Sequence, residues 1–299
     1  MAFNYYFAGS QLLAADEFII EKGNRLRLLS YYLDKKTIEF WMEKKVPIFL
    51  DSGAFSAHTK GVEIDVDEYI EYINERDEYL TCYAQLDTIP GEFGKPKTKE
   101  QLEEAPEKTW ENYLYMYDRV KSPEKLIPVF HQGEDFKHLI RMLEHKPRVE
   151  YLGISPANDV STPRKEAWIR ECFKIIERSS NPNVKTHAFG MTSLPVLKRF
   201  PFYSADSTSW IMTGSTGSII TKYGNLLVSN VQTKHKDHVS NLPKPMQKEI
   251  IEYLDGFGYS LEELGEDYRK RLLFNVMYLT EWAKNFKLEK PTTKQKTLF

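Results

Sequence analysis

The chain has 299 residues, room for an α/β barrel of roughly 250 residues with some left over. Hydrophobic residues make up 41 % and charged residues 28 %, ordinary for a soluble globular protein, and the formal charge is −2. That charge argues against bulk attraction to nucleic acid or membrane while leaving room for a local basic groove.

Only two cysteines occur, Cys82 and Cys172, far apart and without C-x-x-C spacing. A cysteine-based zinc site is not expected, and a reduced, cytoplasmic compartment is. The start, Met-Ala-Phe-Asn-Tyr, shows no charged region followed by an apolar stretch, so no signal peptide is expected. No apolar run approaches ~18 residues, so no membrane span is expected either.

Asn4 to Gly9 reads as a first strand and Leu26 to Leu33 as a second. From Asp34 to Lys45, Ile38, Trp41 and Met42 recur at helical spacing. Val46 to Leu50 is a buried strand ending abruptly in Asp51-Ser52-Gly53, the pattern of the C-terminal lip of a barrel strand. Val66 to Ile73 reads as a helix and Tyr79 to Asp87 as a strand ending in a second carboxylate. Glu92 to Glu107, with three lysines and two prolines, is expected to be an exposed excursion before a helix at Trp110 to Val120.

Leu126 to Phe130 then leads into His131-Gln132-Gly133, followed by a helix at Phe136 to Leu143 and a strand at Val149 to Ser155. Trp168 to Arg178 is amphipathic, Val184 to Phe189 leads to Gly190, Leu194 to Phe200 is a short helix, and Phe202 to Ser207 closes the series. This alternation predicts an α/β fold, a parallel sheet closed into a TIM-type (β/α)8 barrel. Beyond Trp210 come a hairpin turning at Tyr223-Gly224-Asn225, helices at Pro245 to Leu254 and Leu261 to Phe286, and a lysine- and threonine-rich end. The expected division is a barrel over 1–240 including the hairpin near 217–229, helices packing on it over 241–288, and a flexible tail over 289–299.

Asp51, Asp87, Asp206 and Gln132 all stand at strand ends, which a parallel barrel brings to one rim. Any one of these groups is equally well explained as the cap of the following helix. Three carboxylates together with Gln132 and glycines at Gly53, Gly133 and Gly153 favour a ligand site, because glycine lets a flat ligand approach the backbone.

Asp51-Ser-Gly-Ala-Phe-Ser56 resembles the Asp-Ser-Gly-Gly-Phe-Gln motif of tRNA-guanine transglycosylases. His131-Gln-Gly-Glu-Asp135 resembles their Gln-Gly motif, Tyr151-Leu-Gly-Ile-Ser155 their glycine-rich strand end, and Ala188-Phe-Gly-Met191 their Met-Gly-Val-Gly turn. Tyr203-Ser-Ala-Asp-Ser207 falls where that family has Phe-Asp-Cys with its nucleophilic aspartate, and the motifs run in family order over roughly residues 45 to 215. The family's structural zinc site needs three cysteines and a histidine after the nucleophile; here no cysteine follows Cys172, and His187, His235 and His238 alone are a poor substitute. In that respect and in motif wording the chain looks more like the DNA 7-deazaguanine transglycosylases of phages and bacteria.

The resemblance implies a pentosyltransferase that exchanges guanine in DNA for a 7-deazaguanine such as 7-cyano-7-deazaguanine, without a cofactor or metal. Asp206 would be the nucleophile and Asp51 the general acid/base; Ser52, Asp87, Gln132, Gly133 and Gly153 would bind the base, with Phe189 stacking on it. The residue types suit the chemistry. Substitution at an anomeric carbon passes through an oxocarbenium-like state, so one carboxylate traps the cation while another handles the proton.

A local basic surface is expected from Lys198, Arg199, Lys222, Lys234 and Lys236, with His235 and His238 nearby and Trp210 and Tyr223 interleaved to stack or wedge against bases; a solvated face is the alternative. The end Gln295-Lys-Thr-Leu-Phe299 resembles a sliding-clamp-binding peptide anchored by Gln295, Leu298 and Phe299. Rival readings are a zinc-free enzyme acting on tRNA, a non-catalytic nucleic-acid-binding subunit, and a sugar-processing barrel with an aspartate pair.

Overall fold

The computed structural model describes residues 3–10 and 13–289. The clamp-like residues Gln295, Leu298 and Phe299 lie outside the described residues.

Among the described residues, nine strands form one parallel sheet: β1 Asn4–Ala8, β2 Arg27–Ser30, β3 Ile48–Asp51, β4 Leu80–Ala84, β5 Leu126–Ile127, β6 Val129–His131, β7 Tyr151–Ser155, β8 Lys185–Ala188 and β9 Ser204–Ser207. Their spatial order is β5-β4-β3-β2-β1-β9-β8-β7-β6. The two edge strands are one segment interrupted at Pro128, which has no N–H to give to a ladder. β5 pairs with β4 on one side and β6 with β7 on the other, so the sheet returns onto itself. Gln85 N–H donates to Ile127 O at 3.0 Å and Gly153 N–H to Pro128 O at 2.8 Å across that seam. Counting β5 and β6 as one strand makes nine into eight, the TIM-type barrel the alternation predicts.

The strands are apolar on both faces because both are covered. Tyr6, Leu28, Phe49, Cys82, Ile127 and Val129 meet in one cluster inside the barrel. Helices follow the strands: α1 Leu13–Glu21, α2 Lys35–Glu43, α3 Ala54–Thr59, α4 Val66–Arg76, α5 Lys99–Tyr117, α6 Phe136–Glu144, α7 Thr162–Arg178 and α8 Leu194–Leu197.

Much of the charged segment 92–107, expected as an exposed excursion, belongs to α5. Thr98 and Gln101 form a reciprocal capping box that starts the helix, and Ala105, Trp110, Tyr113 and Met116 are its buried side. Pro106 sits inside α5, where proline removes a backbone donor; that residue and the lysines hid the helix from a periodicity argument.

The chain divides into two compact units: Met1–Ala8, Leu26–Asp206 and Lys287–Phe299 in one, and Gly9–Arg25 and Ser207–Phe286 in the other. The hairpin therefore groups with the C-terminal helices and α1, not with the barrel as the 1–240 and 241–288 division expected. The second unit contains α1, α9 Ser209–Ser215, the hairpin β10 Ser218–Thr221 and β11 Gly224–Leu227, α10 Lys244–Asp255, α11 Leu261–Glu266 and α12 Tyr268–Lys284. Its core includes Ile219, Val228, Ile250, Leu264 and Phe274.

Asn275, fully buried on α12, accepts Ile220 N–H at 2.7 Å and donates to Trp210 O at 3.1 Å. It thereby satisfies two backbone groups that water cannot reach. Two local expectations shift. The hairpin turns at Lys222-Tyr223, with Thr221 opposite Gly224. The single helix expected from Leu261 to Phe286 breaks at Asp267, which leaves helical geometry and accepts Arg269 N–H at 2.8 Å to cap α12. Among the described residues, no helix is long and apolar enough to cross a membrane.

Candidate active site

Asp51 ends β3 beside Ser30 of β2, and its Oδ2 accepts Gly53 N–H at 2.9 Å. Gly53 has φ +74°, and a Cβ there would stand 2.3 Å from Ser30 Oγ and 2.8 Å from Tyr32 Cβ. Glycine is thus required by the turn itself, and protein rather than ligand fills the space beside it. Ser52, expected to bind a base, is buried, and its Oγ accepts Ala54 N–H at 3.3 Å. Its observed work is to shape the turn.

Burial pushes the Asp51 carboxyl up to about 7. The Asp87 charge adds to this, the Gly53 N–H works against it, and the Asp206 and Asp34 charges raise it further. Asp51 therefore feels both of the other strand-end carboxylates predicted to share its rim.

Asp206, on β9, is reached by two donors at the same oxygen. Gly190 N–H lies 2.9 Å from Oδ1 and His187 Nε2 lies 3.1 Å from it. His187 is fully buried, and burial lowers its basicity although Asp206 opposes this. The neutral ring then carries its proton on Nε2, facing the carboxylate, and presents Nδ1 as an acceptor. Ser204 Oγ lies 2.5 Å from Nδ1, and Tyr151 OH hydrogen-bonds Ser204 Oγ in turn. Donation runs Tyr151 to Ser204 to His187 to Asp206, through the barrel interior and out to its rim. Ser204 is fully buried at the inner end, so this is not a serine nucleophile facing substrate.

Asp87 lies just past β4 and lines a cleft of about 570 Å³ with His58, Ile64, Thr88, Phe93 and Asn112. Gln85 Nε2 donates to Asp87 Oδ1 at 3.0 Å, and His131 Nε2 lies 3.2 Å from Asp87 Oδ2. Gln132, expected to read a base edge, uses its side-chain oxygen to accept Ala157 N–H at 3.1 Å, tying down the loop after β7. The neighbouring His131 is the ionisable group here, one that the Gln-Gly motif alone does not point to. Strand alternation could have found it, because Ile127 and Val129 face the barrel core and His131 continues that period of two. Burial opposes the charged ring, but Asp87 and Glu134 outweigh it and hold His131 well above the ordinary histidine range.

The glycines divide. Gly133, φ +113°, has nothing near its Cβ position, whereas a Cβ on Gly153 would stand 2.6 Å from Phe189 Cε2 and 3.0 Å from Val129 Cγ2. The Phe189 ring, rather than a ligand, lies over Gly153. That ring packs edge-on against His187 and Phe49, with centroids 4.5 and 5.6 Å away. Gly153→Ala should therefore cost about 1–3 kcal/mol in a denaturant titration. The same substitution on a Phe189→Ala background should cost clearly less, since the closest clashing atom is gone and only Val129 Cγ2 remains near.

The predicted basic residues fall in both units. Lys198 and Arg199 belong to the barrel unit, and Arg199 is paired with Glu166 at 2.5 Å. Lys222, Lys234 and Lys236 are exposed in the second unit. Trp210 cannot stack on a base as expected: it is fully buried, with its carbonyl taken by Asn275. Its apolar area is spent on the core, which is the common fate of tryptophan at helical spacing. Tyr223 is exposed and donates its hydroxyl to Glu249. Among the described residues, no cluster of three or more His, Cys, Asp or Glu could hold a metal ion.

No family model matches the chain, and no curated protein matches it.

Proposed function

We propose that the chain is a transglycosylase that exchanges guanine in DNA for a 7-deazaguanine through a covalent aspartyl-glycosyl intermediate. The observation that carries this reading is a pair of strand-end carboxylates in unlike surroundings, Asp206 and Asp51. Asp206 has both donors, Gly190 N–H and His187 Nε2–H, on Oδ1, which leaves Oδ2 to attack. Asp51 is held near pH 7, where it can give a proton or take one.

In the first step Asp206 Oδ2 bonds to the anomeric carbon of the target nucleotide. The glycosidic bond breaks, its electron pair leaves with guanine, and Asp51 supplies the proton guanine needs. In the second step Asp51 takes a proton from the ring nitrogen of the incoming base. That nitrogen attacks the anomeric carbon, and the ester releases Asp206 as a carboxylate. Two displacements return the sugar to its starting configuration, and both side chains end as they began. Asp87 faces the cleft as an acceptor for the N–H groups of a guanine-like edge, while the Phe189 ring is packed over Gly153 and is not among the residues lining that cleft. A base in a duplex would first have to leave its stack.

The choice of DNA over tRNA rests on the motif wording and on the lack of cysteines after Cys172. The test is uptake of labelled guanine or 7-deazaguanine into duplex DNA, single-stranded DNA and tRNA. Uptake into DNA is expected; uptake into tRNA alone would move the reading to the tRNA enzymes, and none into either would refute it. Capture of a sliding clamp by Gln295, Leu298 and Phe299 is a separate proposal from the sequence. Deleting that tail should abolish clamp pulldown and leave activity on a short oligonucleotide intact.

A further inference from the structure

We infer that His131 is a positioning residue: gripped at both ring nitrogens, it holds the Asp87 carboxylate at the cleft wall so that Asp87 accepts N–H donors from a bound heterocycle. His131 Nε2 lies 3.2 Å from Asp87 Oδ2, and Nδ1 lies 3.2 Å from Glu134 Oε1. The His131 backbone N–H reaches Glu134 Oε2 at 3.3 Å, which fixes Glu134 across its own turn. On the far side, Gln85 Nε2 holds Asp87 Oδ1 at 3.0 Å and is itself anchored on Val129 O at 3.2 Å. Each Asp87 oxygen thus has one protein donor and retains lone-pair capacity for a donor from the cleft.

A neutral imidazole would turn a lone pair toward one of the two carboxylates, whereas the doubly protonated ring donates to both. The charged groups facing His131 are Asp87, from the end of β4, and Glu134, from its own turn. Their side chains are only 19 % and 15 % exposed, against 31 % for His131, so water screens the trio weakly. The charged ring fixes the Asp87 rotamer. It also offsets part of the negative charge that Asp87 projects onto Asp51.

The identity of the heterocycle rests on the transglycosylase reading; the clamp on Asp87 does not. Two measurements on the full chain separate them. With guanine as the variable substrate, His131→Gln should raise KM at least about tenfold while kcat stays within about threefold, the signature of lost ground-state positioning. Glu134→Gln, which keeps the His131–Asp87 contact, should raise KM by a smaller factor and serves if His131→Gln does not fold. In parallel, 15N NMR of histidine-labelled protein should find both His131 nitrogens protonated at pH 7 in the wild type, and one bare nitrogen in the Asp87→Asn, Glu134→Gln double variant. A purely structural histidine would lower the melting temperature and leave KM unmoved. An unchanged KM in both variants, or a wild-type His131 already neutral at pH 7, overturns the proposal. If wild-type protein exchanges no guanine, the transglycosylase reading fails, and the NMR titration still decides the clamp.

Discussion

Asp206→Asn should lower base exchange by roughly 10⁴-fold or more, because in the proposed mechanism the glycosyl-enzyme forms on that carboxylate. Asparagine is the informative replacement. Its oxygen still accepts from Gly190 N–H, 2.9 Å away, and from His187 Nε2, 3.1 Å away, so the loop after β8 keeps its anchor. Melting should therefore change little. Asp206→Ala leaves both donors without that acceptor at a buried position, and an extra cost of about 1–3 kcal/mol in a denaturant titration is expected. The contrast between the two variants separates loss of chemistry from loss of support.

The second large effect is expected at Asp51. Asp51→Asn should lower kcat about 10²- to 10⁴-fold, since departing guanine loses its proton donor and the incoming base its acceptor. The wild-type pH dependence should split by half-reaction around the Asp51 value of about 7. Glycosyl-enzyme formation needs Asp51 protonated and slows as pH rises through 7; base incorporation needs it ionised and accelerates over the same range. Single-turnover measurements from pH 5.5 to 8.5 read both limbs, and both should flatten in Asp51→Asn.

Asp51→Asn should move stability the opposite way from activity. The folded-state value of about 7 lies above the ordinary 3.8. The native fold therefore prefers the protonated side chain. That contribution is complete below about pH 4 and is lost as pH rises through 7. Above pH 7 the wild type holds a carboxylate in a site that favours a neutral group. Asp51→Asn should then be more stable than wild type at pH 8, by about 1–3 kcal/mol, with the gain fading toward pH 4. Urea titrations at the two pH values test the sign.

The barrel could be read from the sequence because its strands are short apolar runs with carboxylates or glycines at their ends, spaced by helical periods. Asp51, Asp87 and Asp206 followed from the same logic, since barrel closure brings strand ends together whatever their separation along the chain. What escaped depends on three-dimensional pairing. Gly153 reads as open backbone until the Phe189 ring is seen to occupy the place of its Cβ. Trp210 reads as a stacking platform until α12 covers it and Asn275 takes its carbonyl. Gln132 and His131 are adjacent in the same motif, and only strand alternation says which one turns toward Asp87. The hairpin reads as part of the barrel because it follows the last barrel strand, yet its core is shared with α10, α11 and α12.

The most direct test of the account is mass spectrometry of wild-type protein denatured during turnover on guanine-containing DNA without added base. An adduct of the deglycosylated DNA strand is expected on the peptide carrying Asp206, disappearing on addition of a 7-deazaguanine and never forming in Asp206→Asn. Base exchange without any such adduct, or an adduct mapping to Asp51, would contradict it.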